Sequence, residues 1–595
     1  MKIAYLDGRR LYRVLYAGIQ NILDNQDYLN KINVFPVPDG DTGTNMAYTL
    51  MGIAERMQTH LYLPLGELSQ EVANAAIDNA RGNSGAILAQ FFQGFAEAVA
   101  GKAKLSTTQF AEATAMASQS AYLALSHPRE GTILSVIKSW STCLREKAGH
   151  YRDYLSLMES ALHEAKAALK YTPEQLPVLK KAGVVDAAGQ GFVDILEGIF
   201  HFMQHGNLRE THKLESLPID PAGNEDLHPE TLNLDYPFCT ECVMTGANLN
   251  RQTVMHELEQ HGDSVVVAGS SQHIKIHLHT NQPGQVFGRL KSLGQVSQQK
   301  VDDMRVQHRA ATDPKTIALV VDSTCDLPPE IFDRFHVHII PVRLNFGDEE
   351  FIDKITISEE EFYQRLLTDK FHPKTSQPPL GDIKRLLKFL ASHYSSIISI
   401  NVPRNSSGTI QGIEAGFKEI QVANKVAVDG LSLSIGTGLV VIEAGEAIEA
   451  GESFENVVRR TNEATQKTDV YVGLDSMDAI LRGGRVTDKK KKLIEALHLN
   501  PVLTMNKTGF VGSAGVTFGR RHKFEKFVKL VIKKIGNREV KRIGIVHAVN
   551  PEAAEAAKMT LNQRFPQAEI YMSTVGPALG VHAGRKALGV AVQFV

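Results

Sequence analysis

The chain has 595 residues, of which 43% are hydrophobic and 22% are charged, and its formal net charge is −2 at pH 7. A chain of this length forms several domains, each able to bury its own core. The near-neutral charge gives no electrostatic case for a nucleic-acid partner. The sequence contains no run of the roughly 18 to 20 apolar residues that a membrane-spanning helix requires.

The cysteine content and the first residues bear on the compartment. Four cysteines are too few for a disulfide framework in a chain of this size and are typical of a reducing environment. Residues 1–7 lack the apolar core of a signal peptide. We therefore predict a cytoplasmic multidomain protein.

The most informative segment spans residues 33–46 and reads NVFPVPDGDTGTNM. Its prolines favour extended geometry, and its glycines permit a tight turn and close approach of a ligand to the backbone. Asp39 and Asp41 can point at one position, where they would repel each other without a cation. The segment therefore predicts a hard metal ion, with backbone N–H groups and hydroxyls nearby that suit phosphate.

Other interpretations of this acidic turn differ in strength. An EF-hand loop beginning at Asp39 would need Gly at its sixth position and Glu at its twelfth, where this sequence has Thr44 and Leu50, so that interpretation fails. A turn that merely caps a helix beginning near Thr44 explains the composition equally well. No Walker-type P-loop occurs in the sequence, so a nucleotide would be bound without one.

Residues 1–205 predict a mainly helical domain, because apolar residues recur there at helical spacing. Three further glycine-bearing loops each precede a helical segment: RGNSG at 81–85, PREGT at 128–132 and KAGVVDAAGQG at 181–191. Helix N-termini present free N–H groups that suit phosphate. Four such loops could form the rim of one helical barrel, although each alone is typical of an ordinary helix–helix turn.

These four motifs, in this order, resemble the DhaL-type kinase domain of dihydroxyacetone kinases and, more closely, its relative in the kinase subunit of bacterial fatty acid kinase. The resemblance covers about the first 200 residues and implies an all-helical barrel that holds ATP through two Mg²⁺ ions. It implies magnesium ligation by Asn33, Asp39 and Asp41. It also implies that the nucleotide is contacted by Thr42, Thr44, Asn45, Asn83, Ser84, Gly85, Thr132 and Asp186.

Residues 206–237 lose the apolar periodicity and are rich in Pro, Gly and charge, which predicts a linker. Residues 238–312 then predict a small α/β middle domain. Within it, residues 273–279 read HIKIHLH, an alternation that predicts a strand with its histidines on one face. A solvated strand face explains this alternation as well as a metal site does.

Side chains of this middle domain suit zinc. His277 and His279 would lie about 7 Å apart along the strand, within reach of one ion, and Cys239 or Cys242 could add a thiolate. The middle region of the fatty acid kinase subunit looks similar, with a Cys near its start and an H-x-H strand. That resemblance implies a zinc-type site at Cys239, His277 and His279.

Residues 315–595 alternate buried strands with helices, which predicts an α/β architecture. A strand at 316–321 is followed by the polar run DSTCD, at the strand end where open α/β sheets bind ligands. A single strand is predicted at 337–344. Further polar segments occur at 375–378, 406–409, 483–485 and 582–584. Their hydroxyls, guanidinium and imidazole suit an anion, and the absence of a G-x-S-x-G motif argues against a Ser/His/Asp hydrolase.

These segments, in this order, resemble the DegV family of fatty-acid-binding proteins, in which two α/β subdomains enclose an acyl chain. The resemblance implies that the lipid carboxylate is held by Thr375, Ser376, Ser407, Arg485 and His582. Two departures from the family pattern are Ser406, in place of an apolar residue, and Arg585-Lys586, in place of Pro-Gly.

The two resemblances together imply a fused fatty acid kinase that converts ATP and a fatty acid into ADP and an acyl phosphate. Asp39 and Asp41 would serve the ATP side, and Arg485 and His582 would offset charge on the acyl side. The alternatives are a lipid-binding or regulatory protein with an inactive kinase module, and a dihydroxyacetone-type small-molecule kinase. The implied partners are ATP, a fatty acid, a downstream acyltransferase, a second copy in a homodimer and a transiently contacted membrane.

Overall fold

The computed structural model describes residues 3–35, 40–206, 235–312, 315–476, 478–482, 499–519 and 521–595. The chain divides into two compact units, Met1–Thr312 and Asp313–Val595. Asp39, Arg485 and nearly all of the predicted linker lie outside the described residues. Within the described ranges, every helix is too short or too polar to cross a bilayer.

The first unit begins with a helical domain that contains one short β-ribbon. Its elements are β1 (Leu6–Asp7), α1 (Gly8–Asp24), α2 (Gln26–Lys31), α3 (Thr42–Gln58), α4 (Leu65–Asn79), α5 (Gly82–Ala98), β2 (Lys104–Leu105), α6 (Thr107–Tyr122), α7 (Ile133–Lys147), α8 (Tyr154–Gln175), α9 (Pro177–Ala182) and α10 (Ala187–His205). From α3 to α8 each helix packs against the next, α8 packs against α10, and α1 packs against both α10 and α3. The helices therefore form a closed ring. This agrees with the predicted helical barrel.

The core of this ring is built from the apolar faces of its helices. Ile19, Leu50, Leu88 and Trp140 are all buried in one continuous cluster. Burying a large side chain of this kind stabilises a fold by roughly 1.5 to 3 kcal/mol, so the ring holds its helix ends in fixed positions.

The first unit continues with an antiparallel sheet and its helices. These elements are β3 (Phe238–Thr245), α11 (Arg251–Glu259), β4 (Gly262–Gly269), β5 (His273–Thr280), α12 (Pro283–Leu293), β6 (Gln295–Asp303) and α13 (Met304–Thr312). The strand order is β4-β5-β3-β6. One face of the sheet packs Met244, Ile276 and Leu278 against α11 and α12, and the other face carries the polar residues of β3 and β5.

Backbone hydrogen bonds join this sheet to the helical ring. Val267 N–H donates to the carbonyl of Ala124 at 2.9 Å, and Ser126 N–H donates to that of Val265 at 3.2 Å. Gly269 N–H donates to Oε1 of Gln90 on α5 at 2.7 Å. The polar face of the sheet therefore lies against the helical ring, within the same compact unit.

The second unit is an α/β structure. Its elements are β7 (Ile317–Asp322), α14 (Pro329–Arg334), β8 (His338–Ile340), β9 (Arg343–Phe346), β10 (Glu349–Ile352), α15 (Glu359–Thr368), β11 (Lys374–Ser376), α16 (Leu380–His393), β12 (Ser396–Asn401), α17 (Thr409–Phe417), β13 (Asn424–Asp429), α18 (Ile435–Glu449), α19 (Phe454–Lys467), β14 (Thr468–Gly473), α20 (Asp478–Arg482), β15 (Leu499–Met505), β16 (Val511–Phe518), α21 (Lys523–Ile535), β17 (Val540–His547), α22 (Pro551–Arg564), β18 (Glu569–Thr574), α23 (Pro577–Ala583) and β19 (Leu588–Phe594).

These strands form a parallel sheet in the order β13-β12-β7-β8, a mixed sheet in the order β16-β15-β14-β19-β17-β18, and a small sheet in the order β10-β9-β11. The apolar helix α18 contacts strands of both large sheets, with Leu439 and Val441 buried. The multidomain architecture, with a helical N-terminal part, a small middle domain and an α/β C-terminal part, is confirmed. The single strand predicted at 337–344 is wrong, because Pro341 has no N–H to donate and the chain passes there from one sheet to another.

Candidate functional site

A cavity of about 350 Å³ lies in the first unit between the helical ring and the polar face of the middle sheet. The ring lines it with residues of all four predicted loops, namely Asn33, Asp41, Thr42, Asn45, Asn83, Ser84, Thr132 and Asp186. The sheet lines it with Cys239, Glu241, His277, His279 and Lys300. The structure thus brings most of the predicted nucleotide residues and the three predicted zinc residues to one cavity.

The acidic turn leads directly into α3, which begins at Thr42. The hydroxyl of Thr42 donates to Oδ1 of Asn33 at 2.9 Å, and both residues are buried. Asp41 occupies the N-cap position, but its carboxylate makes no capping hydrogen bond to the helix. Helix capping therefore does not account for the Asp41 carboxylate.

The start of α5 is tightly fitted around Gly82. This residue has a φ of 56°, and a Cβ atom added to it would lie 2.6 Å from Nδ2 of Asn45. Next to it, Oδ1 of Asn83 is buried and has no hydrogen-bond partner among the described residues. An unpartnered buried acceptor costs roughly 1 to 3 kcal/mol, which fits a position where a bound ligand or its metal-coordinated water supplies the donor.

Thr132 and Asp186 line the cavity while they cap helices. The hydroxyl of Thr132 accepts from Leu134 N–H at 3.4 Å, and Oδ2 of Asp186 accepts from Gly189 N–H at 2.7 Å. Burial raises the pKa of Asp186 to about 7. These two residues fix the ends of α7 and α10 that face the cavity.

Two predicted nucleotide residues are not brought to the cavity. Oγ1 of Thr44 accepts hydrogen bonds from Asn30 at 3.0 Å and from Gln26 at 3.2 Å, so Thr44 ties α3 to α2. A Cβ atom added to Gly85 would lie 2.5 Å from Oγ1 of Thr49, so Gly85 permits close packing of α5 against α3. The expectation that Thr44 and Gly85 contact the nucleotide is therefore corrected. Both residues instead stabilise the packing of the helices that carry the loops.

The strand register explains the cysteine–histidine cluster. Cys239 lies directly opposite His279 on the neighbouring antiparallel strand, so their side chains share a face with His277. The ligand atoms of these three residues all lie within 4.8 Å of one another. His277 is only 4% exposed, so a solvated strand face does not describe it.

The chemistry of this donor set fits zinc. Nε2 of His277 is buried without a hydrogen-bond partner in the described part of the chain. Burial, with a smaller effect from His277, lowers the pKa of His279 to about 3, which favours the neutral imidazole that metals bind. Burial raises the pKa of the Cys239 thiol, but a coordinated divalent cation deprotonates such a thiol.

Glu241 is a central residue of the cavity that the sequence reasoning missed. Burial favours its neutral form, yet Lys300, Lys275 and a hydrogen bond with His277 hold the pKa of its carboxyl well below the usual value. The period of two from Cys239 to Glu241 was a usable signal, since it places both side chains on one strand face. Its partners, however, come from other strands.

The second unit contains a cavity of about 340 Å³ with a mainly aliphatic lining. The aliphatic residues include Val342, Val402, Leu433, Val470, Val472, Leu503, Val546 and Leu579. The predicted carboxylate-binding residues Thr375, Ser376, Ser407 and His582 also line it. Such a lining suits a ligand with a long apolar part and a small polar group.

The polar residues of this cavity lie on different elements. Oγ1 of Thr375 lies 3.3 Å from Nε2 of His582, and Oγ of Ser407 lies 2.8 Å from Oγ1 of Thr409 at the start of α17. A Cβ atom added to Gly408 would lie 1.8 Å from Oε1 of Gln377, so glycine lets these two loops approach each other closely.

Two buried aspartates position the helix that carries His582. Oδ1 of Asp326 accepts from Gly576 N–H at 3.1 Å, and Oδ1 of Asp353 accepts from Ala578 N–H at 3.0 Å. Asp326 belongs to the polar run after β7 that the sequence suggested as a ligand-binding segment. Asp326 instead anchors the start of α23, and Thr324 is the residue of this run that lines the cavity.

Family models match most of the chain in three segments. Residues 36–201 match the DAK2 domain, residues 235–311 match the FakA-like middle domain of fatty acid kinase, and residues 316–595 match the DegV family of uncharacterised proteins. The recognition of a kinase-type domain followed by a DegV-type domain is confirmed.

Curated relatives include an uncharacterized protein of Staphylococcus saprophyticus, 35% identical over 317 residues, and one of Staphylococcus aureus, 34% identical over 319 residues. Each match covers 52% of this chain and 57% of the relative. The chain thus spans little more than half the length of these relatives.

Similar solved structures include a DegV-family protein of Thermus thermophilus described as fatty acid binding, at 27% identity and a TM-score of 0.44. Another is DegV of Bacillus subtilis, described as a fatty acid binding protein, at 25% identity and a TM-score of 0.43. Both likenesses cover 47% of this chain and 100% of the other. In chain order, the family models thus match a DAK2 domain, a FakA-like middle domain and a DegV-family domain.

Proposed function

We propose that this protein transfers the γ-phosphoryl group of ATP to the carboxylate of a fatty acid. A carboxylate oxygen forms the new bond to the γ-phosphorus, the bond from that phosphorus to the β,γ-bridging oxygen breaks, and ADP leaves with the electron pair. The products are an acyl phosphate and ADP. Because a carboxylic acid is already ionised near pH 7, the acceptor needs no general base.

The convergence of four loops on one cavity carries this proposal. Helices α3 and α5 both begin there, and each N-terminus offers N–H groups and a positive dipole. Thr42, Asn45 and Ser84 add hydroxyl and amide groups to the same wall. Phosphoryl transfer depends mainly on positioning and charge neutralisation, which such a wall can provide.

The residues at the cavity also suit magnesium. Asp41 and Asn33 would hold the ion through oxygen atoms, the ligands that Mg²⁺ prefers, and Asp39 joins them on the family resemblance. Bound magnesium would neutralise charge on the β- and γ-phosphates. The unpartnered Oδ1 of Asn83 would accept from a water of its coordination shell.

The second unit would hold the acyl chain. Its aliphatic cavity favours methylene groups, each worth about 0.8 kcal/mol when buried. Thr375, Ser376 and Ser407 would donate to the carboxylate, and His582 would neutralise it. Arg485 joins this group on the family resemblance.

Cys239, His277 and His279 would bind zinc at the sheet side of the nucleotide cavity. The ion would place a fixed positive charge beside the phosphates.

A substrate comparison tests the proposed reaction. The full chain is incubated with γ-labelled ATP and Mg²⁺, and with oleate, palmitate or dihydroxyacetone as acceptor. We expect label in the fatty acid product and none in dihydroxyacetone. Label in dihydroxyacetone would favour the alternative of a small-molecule kinase, which the DAK2 match supports. Bound lipid with no labelled product would favour a carrier.

A further inference from the structure

Glu241 lies between the helical ring and the cysteine–histidine cluster. Its carboxylate is 2% exposed. Oε1 accepts a hydrogen bond from Gly82 N–H at 3.2 Å and lies 3.2 Å from Nδ1 of His277. One oxygen atom therefore touches both the first residue of α5 and a candidate metal ligand.

At its ring side, this oxygen orients a peptide that has little freedom. Gly82 has a positive φ, and a Cβ atom added there would lie 2.6 Å from Nδ2 of Asn45. The hydrogen bond to Glu241 fixes the direction of the Gly82 N–H. The following residues, Asn83 and Ser84, line the cavity, so the direction of this first peptide sets how their groups face a phosphate.

At its sheet side, the same oxygen orients an imidazole. A metal bound at Nε2 of His277 requires the ring proton on Nδ1, which then donates to Oε1 of Glu241. A carboxylate in this position fixes both the tautomer and the ring orientation of a metal-binding histidine.

Two lysines keep the buried carboxylate in place. Nζ of Lys275 lies 3.4 Å from Oε2, and Nζ of Lys300 lies 3.9 Å from Oε1 and 2.9 Å from Asp302. A buried carboxylate without such partners would be strongly destabilising. With them, Glu241 can bridge the two elements as a fixed group.

We propose that Glu241 is a positioning residue that couples metal binding at Cys239, His277 and His279 to nucleotide binding at the N-terminus of α5. This inference rests on the proposed function, since it takes ATP and a zinc-type ion as the two ligands. A metal on Nε2 of His277 fixes the ring proton on Nδ1, which donates to Oε1 of Glu241, the same oxygen that accepts from Gly82 N–H and so orients it towards a phosphate. Because binding linkage is reciprocal, each ligand raises the affinity of the other by the same factor.

Cobalt provides a spectroscopic probe of this coupling in the full chain. Co²⁺ replaces zinc at sites with thiolate and imidazole ligands and reports binding through its visible absorption. Its affinity is titrated with and without saturating ADP and Mg²⁺, and ADP affinity is measured by calorimetry with and without Co²⁺. We expect each ligand to tighten the other by about fivefold or more.

Three variants separate the effect of the Glu241 acceptor oxygen from the effect of its negative charge. Glu241→Gln keeps an acceptor oxygen and should keep part of the coupling. Glu241→Leu combined with Lys275→Met removes the acceptor without leaving Lys275 unpaired, and the coupling factor should fall to about one while each ligand still binds alone. Arg289→Met, at an exposed position of α12 in the same domain, is the control and should keep the coupling.

The wild-type measurement decides even where a variant does not fold. If ADP leaves the Co²⁺ affinity of the wild type unchanged, the coupling role of Glu241 is overturned. Acyl phosphate formation in that same protein would show that the proposed reaction survives. Failure of the wild type to bind nucleotide would overturn both.

Discussion

Oγ1 of Thr375 lies 3.3 Å from Nε2 of His582, although the two residues are 207 positions apart. The contact joins β11 to α23, and both side chains line the aliphatic cavity of the second unit. A hydroxyl beside an imidazole suits one carboxylate oxygen, since each can donate a hydrogen bond.

Removing hydrogen-bond donors from this cavity, at Ser376 and at His582, should weaken fatty acid binding. Ser376→Ala and His582→Ala should each lower the affinity for oleate by about tenfold, because a hydrogen bond to a charged group is worth roughly 1.5 to 3 kcal/mol. Displacement of a fluorescent fatty acid measures this. His522→Ala, at an exposed histidine of the same unit, is the control. If both substitutions, singly and together, leave affinity and turnover unchanged, the carboxylate is bound elsewhere.

Asp41→Asn should strongly reduce phosphoryl transfer without affecting the lipid site. Loss of a magnesium ligand should lower turnover by about 10² to 10³-fold, comparable to the loss of one group that stabilises transition-state charge. Oleate affinity should stay at the wild-type value. Asp27→Asn, on the short helix α2, is the matched control. Wild-type turnover in Asp41→Asn would remove this residue from the site.

Gly82→Ala should reduce nucleotide affinity through sterics. The added Cβ would lie 2.6 Å from Asn45, while Gly101 also has a positive φ, of 70°, but has nothing within 4 Å of such an atom. Both substitutions should lower the free energy of unfolding by roughly 1 to 2 kcal/mol, the cost of left-handed backbone for a residue with a Cβ. Calorimetry with ADP should show weaker binding only in Gly82→Ala. Equal affinities in the two variants would contradict the fitted loop.

Cys239→Ser should remove bound zinc, whereas Cys242→Ser should keep it. The two cysteines lie on opposite faces of β3, and Cys242 belongs to the apolar core of the middle sheet. Elemental analysis of the purified proteins measures the zinc content. We expect Cys242→Ser to cost stability instead. Equal zinc in wild type and Cys239→Ser would contradict the assigned ligands.

The acid stability of the second unit should depend on Glu443. Burial favours the neutral acid, but hydrogen bonds from Lys541, Arg460 and Arg542 lower its pKa to about 2. A lowered pKa contributes stability above the unfolded value, near 4.5, and that stability is lost as the pH falls through 2. In urea unfolding at pH 7, Glu443→Gln should therefore have a lower free energy of unfolding than the wild type. This difference should shrink as the pH falls from 4.5 to 2. The exposed Glu455→Gln should show no such trend.

The sequence predicts the ring of helices well, because helical periodicity and glycine-bearing loops are local signals. The resemblance of the four loops to the DhaL-type domain implies that Asn33, Asp41 and Asn83 share a site, and all three line one cavity. It fails at Thr44, which follows Thr42 by two positions on α3. A helix turns about 100° per residue, so these two hydroxyls face different sides.

Glu241 and the break at Pro341 show a second limit. Glu241 acquires its role only from its pairing with His277 on another strand and from contact with Gly82, which is 159 positions away. Pro341 marks a change of sheet that hydrophobicity alone hides. Strand pairing and sheet membership depend on the whole fold, which local patterns do not encode.

The stoichiometry of ADP and acyl phosphate tests whether the protein phosphorylates a fatty acid. The full chain is incubated with ATP, Mg²⁺ and oleate, the acyl phosphate is trapped with hydroxylamine, and ADP and hydroxamate are quantified together. We predict one hydroxamate for each ADP in the wild type and neither above background in Asp41→Asn. Release of ADP without hydroxamate, while oleate remains bound, would contradict the proposed fatty acid kinase.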